Sequence, residues 1–174
     1  MRAQLSILAA SLLIAGSAVI AQQPAAAGRG AAQPAPPAPA PGSPATVKTN
    51  VELMDVLKKN MSAATNGEMT DSPVSNTDQY RINLVHRVKA AGAIAHAGNT
   101  ELHYIISGSA TVVTGGTIVR PPAGSTTLAS IQNGETRHVT KGDVIIVPEG
   151  SAHWYKDVEG EVTYLEVRWV APKK

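Results

Sequence analysis

The chain has 174 residues, enough for one domain with its own core, and its 15 Lys and Arg nearly balance 13 Asp and Glu. It contains no cysteine, which excludes disulfide staples, thiolate metal centres, a cysteine nucleophile and a lipidated cysteine anchor. From Thr46 onward 13 basic residues face 13 acidic ones, and basic pairs occur only at Lys58-Lys59 and Lys173-Lys174, so the footprint of a nucleic-acid or anionic-membrane binder is missing.

The first 21 residues carry Arg2 as their only charge, then an apolar run from Leu5 to Ile20 and a small residue at Ala21. This is the pattern of a cleaved secretory signal, residues 1–21, and predicts a periplasmic or secreted protein. The run is short and rich in alanine, and no second one follows, so no stable membrane anchor is expected. Residues 22–45 hold seven prolines among Ala and Gly with almost no large apolar side chain. That composition predicts a disordered, partly polyproline-II linker. The folded domain is expected over 46–174, with its barrel at about 80–170.

Thr49 and Glu52 form a capping box, and Met54, Leu57 and Met61 follow on one helical stripe, predicting a short N-terminal helix over Val51 to Ser62. Ala63 to Asp78 is polar and turn-rich and is expected to wrap the surface. From Tyr80 the period becomes two. Tyr80, Ile82, Leu84, His86 and Val88 alternate with Arg81, Asn83, Val85 and Arg87, which predicts a half-buried strand. Short strand-like runs recur at Ala91–His96, Glu101–Ser107, Ala110–Thr114, Thr117–Val119, Arg137–Val139, Asp143–Pro148, Ala152–Lys156 and Glu161–Val170. Glycine turns separate them, Ser107-Gly108 and Glu159-Gly160 included. Such spacing predicts an all-β antiparallel sandwich or barrel.

Two clusters in this region carry chemistry. One runs from His96 through Glu101 and His103 to Gly108; the other from Gly142 through Pro148 and Gly150 to His153. Glu101 and His103 share a strand face, about 7 Å apart. These residues resemble the cupin family. The second cupin motif (Gly, five residues, Pro, one residue, Gly, two residues, His) is matched at every spacing by Gly142, Pro148, Gly150 and His153. Of the first motif, His96 matches the second histidine, Glu101 the glutamate and Gly108 the closing glycine. The first histidine is replaced by Ile94, and the preceding glycine by Val88. The resemblance implies a double-stranded β-helix, or jelly-roll barrel, holding one divalent metal ion (Fe, Mn, Ni or Zn).

Three readings stand side by side: an open site of His96, Glu101 and His153; a four-ligand site in which His103 replaces the missing histidine; and a metal-free barrel whose His and Glu are interior hydrogen-bonding groups. Ile94, Tyr155 and His86 are candidate pocket-lining residues, with a satisfied core histidine the alternative for His86. His138 reads as a surface residue and Trp154 as packing outside the barrel. Leu165, Val167 and Trp169 form an apolar face for core or subunit packing, compatible with a homodimer. Ser109–Lys141 predicts an extra hairpin or a lid near the barrel. The function implied is that of an exported metal-binding cupin acting on a small organic molecule. Dioxygenase-like oxidation leads among its reactions, with isomerase or lyase chemistry behind. The rival is a non-catalytic module that captures a small ligand or metal.

Overall fold

The computed structural model describes residues 34–63 and 69–170. The signal-like segment 1–21 and the first part of the linker lie outside the described residues. Among the described residues one helix, α1 (Asn50–Ala63), precedes eight strands: β1 (Met69–Asn76), β2 (Tyr80–Arg87), β3 (Thr100–Thr114), β4 (Thr117–Val119), β5 (Ser130–Gln132), β6 (Glu135–Thr140), β7 (Val144–Val147) and β8 (His153–Trp169). All strand pairings are antiparallel. The main sheet runs β1-β2-β8-β3-β6 with β7 also on β3, and β4-β5 form a separate hairpin.

The capping box forms as its residues require: the Glu52 N–H donates to Thr49 Oγ1 at 3.3 Å and the Thr49 N–H to Glu52 Oε2 at 2.7 Å. Leu57 is the buried residue of the helical stripe, while Met61 is exposed. The predicted surface wrap over Ala63–Asp78 is corrected in part, because Met69–Asn76 forms β1 on the edge beside β2. Its buried residues are Thr70 and Ser72, so no apolar alternation announces it. Pro73, beside a register shift, is tolerated because an edge strand has one side free of the ladder.

The linker also departs from expectation. Pro34–Ala45 does not stand clear of the domain: the Asp78 N–H donates to the Pro36 carbonyl at 3.0 Å, and the Ala38 N–H donates to Asp78 Oδ1 at 2.9 Å. Pro39, Ser43 and Pro44 line a groove of about 530 Å³ with Leu53, Tyr80, Ile82 and Leu165. Helix and tail together therefore cover the Ile82/Leu84 face of β2, and the strand is buried on both faces at its centre. The inward face is that of Asn83, Val85 and Arg87.

Two predicted turns are absent because the chain runs straight through them. Gly108 lies inside β3, at a register shift against β8, with φ of 75°. A Cβ there would meet the Glu161 carbonyl oxygen at 1.8 Å, so only glycine fits. Gly160, with φ of 78°, likewise lets β8 continue. Ala91–His96, expected as a strand, contributes only the Ile94–His153 bridge. Its amides are divided between two neighbours: Ala91 and Ile94 donate to the carbonyls of Tyr155 and His153, and Ala93 to that of Ala129.

The ladder between β3 and β8 explains how the barrel closes. Thr114 pairs with His153, thirteen residues along β3 from Glu101, about 43 Å on a straight strand. Yet His153 Nε2 lies 3.7 Å from Glu101 Oε2. The paired strands must curl until their ends meet, which is the double-stranded β-helix. Its apolar core comprises Val85, Ile105, Ala110, Val112, Val139, Tyr155, Val162 and Tyr164.

Candidate metal centre

Three side chains converge beside the core. His96 arrives from the segment before β3, Glu101 from the start of β3 and His153 from the start of β8. One ligand atom from each lies within 4.8 Å of the others. Two ligand atoms on opposite sides of a first-row ion are separated by about 4.2 Å, twice a bond of about 2.1 Å, so the cluster has nearly the dimensions of a coordination sphere. The turn after Pro148 helps to build it. The Gly150 N–H donates to the His96 carbonyl at 3.0 Å, which ties the two motif loops together.

Hydrogen bonding fixes which atoms face inward. His153 Nδ1–H donates to the Ser151 carbonyl at 3.3 Å, leaving Nε2 as the lone-pair nitrogen toward Glu101. His96 Nδ1 contacts Glu101 Oε1 directly. Glu101 is 1% exposed, and burial pushes its carboxyl upward. The hydrogen bond from His103 and the charges of His153, Arg168 and His96 outweigh this and bring it down to about 2. Burial lowers His153 below the ordinary imidazole value against the opposing pull of Glu101. Both directions favour the metal-binding forms, carboxylate and neutral imidazole.

His103 is placed differently. Its Nε2–H donates to Glu101 Oε2 at 3.2 Å and its Nδ1 accepts from the Tyr155 hydroxyl at 3.1 Å. It falls in a second, fully buried group with Glu101 and Glu166, but there Arg168 already donates to Glu166 at 2.9 Å. Tyr155, held above the ordinary phenol range by burial, stays a neutral donor to His103. The Tyr164 hydroxyl, pushed up by burial to about 12 against the opposing pull of Arg87, likewise remains protonated.

A cavity of about 480 Å³ opens over the cluster, and His96, His103, His153 and Ile94 line it. Tyr155 sits below, in the core. The expectation that His86 lines the pocket is corrected: it points to the opposite face of β2, where its Nδ1 pairs with Thr163 Oγ1 at 2.9 Å. His138 is exposed and bonded to Glu159. The indole N–H of Trp154 donates to the Ala91 carbonyl. The β4-β5 hairpin expected between the motifs is present, and Arg120 and Ala129 from its connection reach the cavity.

Asp71, Arg87, Glu166 and Arg168 also line the cavity, and none of the four belongs to the motif clusters. In the last strand the Leu165, Val167 and Trp169 face is the apolar one, yet Glu166 and Arg168, on the alternate face, point inward. The signal was available. Arg168 pairs with Glu101 and Glu166 with His103 in the ladder, so charged residues one strand apart share an inward row with the motif residues.

The sequence profile of the family described as "Cupin" matches residues 60–166. No curated protein matches the chain. Among solved structures, the cupin domain of Schizosaccharomyces pombe Cnp3 aligns at 15% identity and TM-score 0.46, over 59% of this chain and 61% of that one. KdgF from Halomonas sp. aligns at 14% identity and TM-score 0.47, over 63% and 86%. Fe(II) HppE aligns at 10% identity and TM-score 0.47, over 61% and 53%. The chain thus spans less than two thirds of the Cnp3 cupin domain and about half of HppE.

Proposed function

This chain belongs to the cupin family, and from that footing we propose that it is an exported cupin binding one divalent metal ion through His96, Glu101 and His153 and acting on a small organic molecule, with oxygen-dependent oxidation as its reaction. The observation that carries the proposal is the convergence of two imidazoles and a carboxylate within 4.8 Å of one another beneath a cavity of about 480 Å³. Export is supported by the signal-like residues 1–21.

Two histidines and one carboxylate suit Fe(II), and also Mn, Ni or Zn, while leaving coordination positions for substrate. An ion held there would supply Lewis-acid polarisation or, if redox-active, oxygen chemistry. The remaining work belongs to the chain. Ser151 fixes the His153 tautomer, His103 and Arg168 hold Glu101 as a carboxylate, and Tyr155 holds His103. In this reading His103 orients Glu101 rather than serving as a fourth ligand, because both its ring nitrogens are engaged, Nε2–H with Glu101 and Nδ1 with the Tyr155 hydroxyl, whereas His96 is engaged at Nδ1 alone among the described residues. Ile94 places a hydrocarbon surface where the family's first histidine would stand, so one side of the site favours apolar substrate atoms.

The test is metal analysis of protein purified without chelators, followed by oxygen uptake with candidate substrates. One equivalent of metal and metal-dependent oxygen consumption are expected. Bound metal without turnover of any kind would favour the non-catalytic binding module, and a protein that takes up no divalent ion would reject the site.

A further inference from the structure

From the cavity's unmatched cation we infer that the substrate is a small carboxylate, bound through the guanidinium of Arg87; this rests on the cavity being the substrate site proposed above. Arg87 is 8% exposed and lines the cavity. Its Nε–H donates to the Tyr164 hydroxyl at 3.0 Å, and its Cζ lies 5.2 Å from the centre of the Tyr155 ring and 6.0 Å from that of Tyr164. The hydrogen bond anchors the Nε side of the guanidinium, and among the described residues no hydrogen bond engages its two terminal nitrogens. Among the described residues no carboxylate oxygen comes within ion-pair reach of it.

The surrounding charges are matched in a way that Arg87 is not. Asp71 pairs with Arg81 at 2.9 Å and Glu166 with Arg168 at 2.9 Å, while Glu101 is shared by His96, His103 and Arg168. Each of these acids therefore has a closer cation, Arg168 serving both Glu101 and Glu166, while Arg87 acts on Asp71 only at longer range and keeps no ion-pair partner of its own among the described residues, with the exposed Arg120 at the rim. Burying a charge without a counter-charge is costly. A guanidinium seated beside two aromatic rings, bonded to a hydroxyl through Nε and lining a cavity, can donate through its terminal nitrogens to both oxygens of a carboxylate. Metal at the His96/Glu101/His153 cluster would add positive charge and strengthen the selection for an anion. Val85, Ala91, Ala93 and Ile94 line the same cavity, which suits a carboxylate carried on a short apolar body.

The experiment is calorimetric titration of the full chain with acetate, benzoate and succinate, and with succinamide as the uncharged counterpart of succinate, on metal-loaded and metal-stripped protein. At least one carboxylate should bind, and succinamide should not compete with it. Arg87→Gln should weaken binding by at least about tenfold, the loss of a hydrogen-bonded charge, and Arg87→Lys should restore part of it. Thermal midpoint and metal content, measured on each variant, report whether fold and metal site survive. The inference is overturned if none of the three carboxylates binds, or if Arg87→Gln or, should that variant not fold, Arg87→Lys binds them as the native protein does. Carboxylate binding that depends on Arg87 in a protein taking up no metal would instead sink the metal reading and leave this one standing.

Discussion

The ladder of β3 and β8 builds two different interiors. Near Glu101 the inward side chains are Glu101, His103, Glu166 and Arg168; further along they are Ile105, Ala110, Val112, Tyr155 and Val162. Antiparallel pairing runs through both, regular from Thr100 to Ile105 and shifting register beyond it, where the inward positions change parity. The apolar half gains from every side chain it removes from water. The polar half buries charges that are tolerated only because they bond to one another, an arrangement weak as a source of stability and informative as a sign of function. Tyr155 and Tyr164 mark the seam, stacked with ring centres 4.9 Å apart and their hydroxyls turned to His103 and Arg87.

The contrast breaks most sharply under Ile105→Ala. With Ile105 fully buried, the substitution is expected to cost about 2–5 kcal/mol in denaturant unfolding while leaving one equivalent of metal bound. Glu101→Gln should instead lose the metal, and in metal-free protein it should also lower stability at neutral pH, an effect that fades on the acid side. Glu101 is held at about 2 in the folded state against an ordinary 4.5, so the stability it contributes is fully present above pH 4.5 and is lost as pH falls toward 2. A displacement of that size is worth roughly 3 kcal/mol. The Glu101→Gln protein should lack that part of the acid limb in unfolding curves compared between pH 5 and pH 2; curves of identical pH dependence would show that Glu101 is not held as described.

Tyr155→Phe probes the seam. It leaves His103 Nδ1 buried without its donor, at an expected cost of about 1–3 kcal/mol, and metal affinity should fall by roughly 10–100-fold if His103 orients Glu101. The smallest effect is expected outside the barrel. A chain beginning at Thr46 loses the Pro36 and Ala38 hydrogen bonds to Asp78, which should lower stability by about 0.5–1.5 kcal/mol and leave metal content unchanged. An unchanged unfolding midpoint would show that the tail only rests on the sheet.

The sequence carried the motif residues well, because a curled antiparallel barrel brings together positions whose spacings are set by glycine turns. Gly142, Pro148, Gly150 and His153 delivered one side of the cluster, and His96 and Glu101 the other. The choice of face in β2 was less legible. Alternation separates Leu84 and His86 from Val85 and Arg87, but only the helix and proline-rich tail, packed outside, make the Leu84 face an exterior core and turn Arg87 inward. Gly108 and Gly160 read as turns because a positive φ is shared by turns and bulges. β1 was hidden because its buried residues, Thr70 and Ser72, are polar.

The central claim, that His96, Glu101 and His153 form the metal centre with His103 in support, is tested most directly by metal stoichiometry in the native protein, His153→Ala and His103→Ala, purified and loaded in parallel. The account predicts one equivalent in the native protein, a loss of at least about tenfold in affinity for His153→Ala, and a bound but weakened ion for His103→Ala. Full occupancy at unchanged affinity in His153→Ala would contradict it.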